Sequence, residues 1–241
     1  MKKPLFIILL LLLLSVERCS GFLNTKASRP ARRSPLVVVS SSSPYPEGVT
    51  PRQLVSKGMD AFRNGDVDGS IKLFDQADAM IPDGSLTPFL WQRGLSYYYA
   101  DQFEDASKQF RIDVKVNPRD VEEIVWDIAS VSRLNPSDIP PKNKMSLPEG
   151  MTDRRRIMGT VYSLFRGEAT ELELAAAGHQ GNIADEFYAL FYLGLFCESR
   201  GETAKAANYM KQAVKTDYAT NRGRGDYMTS CARVHCKLRG W

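Results

Sequence analysis

The sequence predicts an all-α protein, a superhelix of stacked helix-turn-helix units with a degenerate middle unit and a C-terminal capping helix. Three observations predict it. Two segments repeat one pattern of small, aromatic and proline residues 36 positions apart. A third segment, from Phe187, carries most of that pattern again. Between them, the apolar residues of Glu122 to Leu134 recur with the period of a helix.

In chain order, the first element is an address. Lys2 and Lys3 precede an apolar run from Leu5 to Leu14. Its length suits the core of a secretory signal and falls short of the roughly 20 residues that span a bilayer. Residues 1–21 therefore read as a signal peptide cleaved around Cys19-Ser20-Gly21, and the mature form is expected not to span a membrane. A lipid on Cys19 is disfavoured, because Glu17 and Arg18 stand where that signal needs small residues. From Phe22 to Pro46 there is no acidic residue, while Lys26, Arg29, Arg32 and Arg33 are basic and Ser28, Ser34 and Ser40 to Ser43 carry hydroxyls. Residues 22–46 read as a disordered segment of transit-peptide composition. A signal peptide followed directly by Phe22 resembles the two-part presequence of algae whose plastid lies inside the endomembrane system. The expected location is the plastid, with stroma favoured because no twin-arginine or second apolar signal follows. The alternative is a secretory protein with a basic linker, against which Asn135-Pro136-Ser137 counts weakly, since Pro disqualifies this one glycosylation-like tripeptide.

The chain holds 32 basic and 28 acidic residues, of which residues 1–43 hold seven and one, leaving 25 and 27 for the rest. The basic isoelectric point therefore belongs to the leader, and no nucleic-acid partner is expected. Arg154-Arg155-Arg156 reads as a solvated helix face.

The domain proper runs from 47 to 241, long enough for one buried core. Its first unit, about 51–84, has Leu54, Gly58 and Ala61, then Ser70, Phe74 and Ala77, and closes with Pro82. The second, about 87–120, has Leu90, Gly94 and Tyr97, then Ala106, Phe110 and Asp113, and closes with Pro118. A Gly on the first helix and a small residue on the second let the pair approach closely, while the Phe fills the space they leave. Proline ends the second helix because it has no N–H to donate. This is the tetratricopeptide layout of about 34 residues, in which one pair cannot bury its apolar face alone and so stacks on others.

The middle, 121–178, is a degenerate unit. Ile124, Val125, Ile128, Val131 and Leu134 form a helical stripe, and the four prolines between Asn135 and Gly150 predict a long loop. Asp153 to Phe165 reads as a helix capped by Thr152 or Asp153, and Glu168 to Ala177 as a shorter one ended by Gly178. The last unit, 187–220, matches at Leu190, Leu193, Gly194, Cys197, Ala206, Met210 and Ala213, with a turn at Arg200-Gly201-Glu202. Residues 226–238 should form the capping helix. Cys197 reads as a buried thiol. Cys231 and Cys236 do not share a helix face, and a bond from Cys197 to one of them stays open.

The stretches from Leu90 to Phe110, Tyr188 to Val214 and Tyr227 to Trp241 resemble a small family of single-domain tetratricopeptide proteins of plant and algal plastids and cyanobacteria. The helical insertion before the last unit is also similar to bacterial tetratricopeptide lipoproteins that serve as adaptors for envelope hydrolases. The resemblance implies a plastid location and adaptor work, and it brings no catalytic residue.

In such a superhelix the first helices of successive units line a concave groove. The groove-facing positions place Met59, Phe62 and Arg63, then Trp91, Leu95, Tyr98 and Tyr99, then Tyr188, Phe191 and Leu195 along it. Val55 and Met59 stand where chaperone-tail binders carry the Lys and Asn that clamp a C-terminal carboxylate, so no such ligand is expected. An aromatic groove suits a protein or peptide with a hydrophobic or amphipathic segment; the alternative is that these side chains pack on the protein itself. No catalytic role, metal site or cofactor is expected: there are two histidines, no phosphate loop and no nucleophile elbow. His235 and Cys236 are consecutive on a helix and point about 100 degrees apart, poorly placed for a dyad.

Overall fold

A computed structural model describes residues 48–241. The signal and transit segments expected in 1–46 lie outside the described residues. The described chain is all-helical: ten α-helices, a short 3-10 turn and a five-residue π turn, with no strand among the described residues. In order they are α1 (Pro51–Arg63), α2 (Val67–Ala79), α3 (Trp91–Tyr99), α4 (Phe103–Val116), α5 (Val121–Leu134), α6 (Arg156–Arg166), α7 (Glu171–Gln180), α8 (Ile183–Ser199), α9 (Thr203–Ala213) and α10 (Tyr227–Arg239). Neighbours in sequence are neighbours in space. The pairs α1–α2, α3–α4 and α8–α9 are hairpins; the first two stack through α2–α3, α5 packs on α4, and α8 of the last hairpin packs on α5, α6 and α7, as in a helical-repeat superhelix.

Packing explains the repeated residues. A Cβ placed on Gly58 would lie 3.2 Å from the Phe74 ring, one on Gly94 would lie 2.7 Å from Phe110, and one on Gly194 would lie 2.8 Å from Met210. In each hairpin the glycine thus seats the large residue of the second helix, and Phe74, Phe110 and Met210 are sealed from solvent. The turn is equally regular. Gly65 (φ +81°), Asp101 (φ 57°) and Gly201 (φ +76°) occupy the same place in the three units, and all are left-handed. That conformation costs a non-glycine residue, and Asp is among the few that tolerate it. Between hairpins, the Ser70 and Ser96 hydroxyls meet at 2.9 Å. Buried Arg93 pairs with Asp75 and Asp78 of α2 at 3.0 Å and donates to Gln109 of α4, tying three helices together.

Two helix boundaries in the middle differ from expectation. α6 starts at Arg156. The Asp153 carboxylate accepts from the Arg155 backbone N–H at 2.8 Å and from its guanidinium at 2.7 Å, forming a turn ahead of the helix instead of capping one. α7 runs from Glu171 to Gln180, with Thr170 and Glu173 closing a capping box. Gly178 does not end it; a side chain there would collide with Ala189 of α8 and with the Asp185 carbonyl, so this glycine is a close-approach point of two helices.

α10, with Asp226 as its N-cap, packs on α9 as a terminal cap should, and also reaches α1 at the other end of the stack. Lys237 donates to the Asn64 carbonyl at 2.7 Å, and Tyr227 stacks on Phe62 with centroids 5.6 Å apart. No described helix is long and apolar enough to cross a membrane.

Candidate functional site

The concave face is the place to look first, because α1, α3, α5 and α8 line it. α10 fills it. The Tyr227 ring sits on Phe62 and edge-on to Trp91 at 5.4 Å, with the Arg63 guanidinium over its other face at 5.0 Å. The Tyr99 hydroxyl meets His235 Nδ1 at 2.9 Å and Cys231 Sγ at 3.4 Å. Of the residues expected to line a partner groove, Met59, Phe62, Leu95, Tyr98, Tyr99, Tyr188, Phe191 and Leu195 are buried; Trp91 is half-buried and Arg63 exposed. Of the two readings of these residues, the described structure has them packed on the protein itself. The residues converge on one concavity, and the protein's own α10 occupies it, since stacked aromatic rings left in water would forfeit their burial.

One end of this filled groove is polar. Glu198, at the end of α8, is 7% exposed. It accepts from Tyr98 Oη at 2.8 Å and Arg239 Nε at 2.6 Å, with Arg133 and His235 Nε2 each at 3.5 Å. Burial alone would raise the Glu198 carboxyl, yet His235, Arg239 and Tyr98 hold it well below the usual carboxylate range. Asp101 extends the cluster, receiving Arg239 at 3.1 Å. Burial pushes the Tyr98 and Tyr99 hydroxyls far up, which keeps both as neutral donors or acceptors. The hub joins α3, α5, α8 and α10, and each charge in it has a partner.

A second cluster corrects the reading of the arginine run. Arg154 and Arg156 are exposed, but Arg155 reaches inward to Glu122 at 2.6 Å, Asp153 at 2.7 Å and Asp120 at 3.6 Å. Tyr192 donates to Glu122 at 2.6 Å, and Tyr188 and Tyr218 both donate to Asp226 at 2.8 Å. Beside this cluster lies a cavity of about 20 Å³ bounded by Trp91, Phe110, Glu123, Trp126 and Met228, room for about one water. Glu123 Oε2 and Trp126 Nε1 are buried there without partners.

Cysteine chemistry is quiet. Cys197, Cys231 and Cys236 are all free thiols, so the disulfide left open by the sequence is not formed. Burial and nearby Glu171 push the Cys197 thiol up to about 12, away from reactivity. Glu171, Cys197 and Glu202 bring ligand atoms within 4.8 Å of one another. Lys205 already bridges the two carboxylates at 3.4 and 2.7 Å, so an ammonium occupies the place of a cation. His235 faces Tyr99 and Glu198, and does not form a pair with Cys236.

The open concavity lies elsewhere. Ile139 and Pro140 of the long loop, Leu164 and Phe165 of α6, Leu172 of α7, and Phe196 of α8 line a cleft of about 420 Å³. Thr170, Glu171 and Arg200 line it too. Phe196 and Glu198 are two positions apart on α8, about 200 degrees round, so the cleft opens on the side away from the filled groove. Leu172 is 78% exposed at its rim.

No family model matches the chain, and no curated protein matches it significantly. The assignment of function therefore rests on the residues themselves.

The sequence reading missed the roles of His235, Arg239 and Arg155. A signal for the first two was present: Tyr227, Cys231, His235 and Arg239 stand four apart, one row along a helix. That row is the face α10 turns into the groove.

Proposed function

We propose that this chain is a non-catalytic adaptor of tetratricopeptide type that docks a protein partner through the cleft between the long loop and α6–α8. The observation that carries this reading is Leu172. A leucine 78% exposed beside a cleft of mixed apolar and polar lining contributes little to the stability of α7 and is placed to meet an apolar segment of another protein. The ionisable clusters support a structural role for their groups, because ion pairs and helices enclose them and none faces this cleft except Glu171 and Arg200.

The leader supports delivery to the plastid, and with it a partner among photosynthetic membrane complexes or their assembly factors; a secretory or endomembrane adaptor is the alternative location. Two experiments test the reading. Residues 1–60 fused to a fluorescent reporter in an alga with a secondary plastid should reach the plastid, and a Phe22→Ala control should not. Cross-linking capture with the full chain should recover a stoichiometric protein that Leu172→Glu loses and the remote Lys57→Glu variant keeps. Equal recovery with Leu172→Glu would remove the cleft from consideration.

A further inference from the structure

The near-neutral body hides a charge asymmetry. Residues 203–241 hold eight Lys or Arg and two acidic residues, leaving 17 and 25 for residues 44–202. Both acids are taken: Asp226 caps α10 and accepts from Tyr188 and Tyr218, and Asp217 lies 3.7 Å from Arg222. Of the other cations, Lys205 is held by Glu171 and Glu202, and Arg239 by Glu198 and Asp101. Lys211, Lys215, Arg224, Arg233 and Lys237 are exposed, and among the described residues none of them forms an ion pair.

These five share one end of the molecule. Arg233 and Lys237 stand four apart, one row along α10. Arg233 donates to the Ala219 carbonyl at 3.1 Å and Arg224 to the Thr220 carbonyl at 2.6 Å, which brings both guanidinium groups to the turn between α9 and α10. Lys211, in the last turn of α9, is near enough to Cys236 to draw its thiol down against burial, and Lys215 follows one turn later. A carbonyl accepts from a cation without neutralising it, so this end keeps a positive field of several charges. An apolar edge adjoins it. Leu238 is exposed next to Lys237, and Trp241 is half-buried, its backbone N–H on the Cys236 carbonyl at 2.8 Å and its ring 5.0 Å from that of His235.

We propose that the end formed by α9, the turn after it and α10 docks on an anionic lipid bilayer. The five free cations meet the headgroups, and Leu238 and Trp241 enter the interfacial layer. Two features favour a bilayer over an acidic protein. A cluster of about four to eight Lys or Arg on an amphipathic helix is what an anionic leaflet attracts, and a tryptophan and a leucine at its edge suit the headgroup boundary, where indole rings collect. A folded acidic partner would instead need fixed sites for its carboxylates, and none of the five cations lines either cleft described above. No described helix crosses a membrane, so the attachment is peripheral. The surface is separate from the Leu172 cleft and does not depend on it.

Residue-resolved lysine acetylation of the full chain tests this. Phosphatidylcholine vesicles containing about 30% phosphatidylserine should slow the labelling of Lys211, Lys215 and Lys237 at least about fivefold, while Lys72 of α2 and Lys108 of α4 react as before. Phosphatidylcholine alone should shield none of them, and salt at about 0.5 M should restore labelling. Lys211→Glu/Lys215→Glu should lose the shielding of Lys237 and keep the wild-type melting temperature. Uniform shielding of all five lysines, which tethering by the leader alone would give, or equal shielding by neutral vesicles, would overturn the proposal. So would polyglutamate that shields Lys211, Lys215 and Lys237 as strongly as the vesicles do, an outcome that assigns the surface to acidic proteins. Leu172→Glu should be shielded like wild type, so this proposal can fail while cleft-dependent capture stands, and the reverse.

Discussion

Asp113 gives the sharpest quantitative expectation. It is 1% exposed on α4, at a position where the repeat asks for a small residue. Gln109 Nε2 donates to its Oδ1 at 3.0 Å, while Oδ2 has no partner. Burial pushes its carboxyl from the ordinary 3.8 up to about 8, against the weaker lowering pull of Gln109 and Arg93. The folded state therefore keeps a proton that the unfolded chain releases above pH about 4. Where the folded state binds more protons, stability falls as pH rises. The contribution of this group is fully present below pH about 4, declines by about 1.4 kcal/mol per pH unit, and is exhausted above pH about 8. At pH 7 the accumulated loss amounts to about 4 kcal/mol, and water reaching the site would reduce it. Asp113→Asn keeps the shape and removes the proton. Urea unfolding of both proteins from pH 4 to 9 should give similar stabilities at pH 4 and a variant more stable by about 2 to 4 kcal/mol at pH 8. A difference that stays constant within about 0.5 kcal/mol across that range would refute the argument.

Gly94→Ala should cost about 1–3 kcal/mol, because the new methyl meets the buried Phe110 ring, whereas Gly159→Ala, with open space in mid-helix, should gain about 0.5–1 kcal/mol; thermal unfolding of the pair separates packing from propensity. Glu198→Gln should destabilise by about 1–3 kcal/mol at pH 7, since Arg239 and Arg133 lose their buried counter-charge and keep only half-exposed Asp101. The Glu198 contribution is present above the ordinary 4.5 and lost as pH falls below it, so the variant's penalty should shrink in acid titration. Thr170→Ala should lower stability by about 1 kcal/mol by opening the capping box of α7, read as a shift in urea midpoint. Tyr98→Ala, which an open groove would tolerate, should lower the melting temperature sharply, because its ring is fully buried and its hydroxyl holds Glu198.

The hairpins were legible because their constraint is local. Gly58 with Phe74, and Gly94 with Phe110, lie sixteen residues apart in one unit, and the spacing alone states which atoms must meet. The start of α6 was not legible. Asp153 is a good cap by type, but its carboxylate is committed to Arg155, and Arg155 answers to Asp120 and Glu122 some thirty residues away. Gly178 carries the same lesson: a stop signal by type became a contact point because α8 crosses there. The groove residues were identified as a group, yet their occupant was not. That occupant depends on α10 meeting Phe62 and Asn64 across more than 160 residues of sequence, a relation that no period encodes.

The contact between Lys237 and Asn64 joins α10 to the end of α1. During vectorial synthesis, at about 5–20 residues per second, the earlier hairpins emerge and pair while the residues of α10 are still being made. For that interval Phe62 and Tyr99 face solvent on a nascent chain, a sticky surface that stays open until α10 is made and packs on it. A ribosome stalled shortly before Tyr227 would hold out the first hairpins, α1 to α4, with their aromatic seam open. Such an intermediate should be a substrate for chaperones that the finished protein does not need.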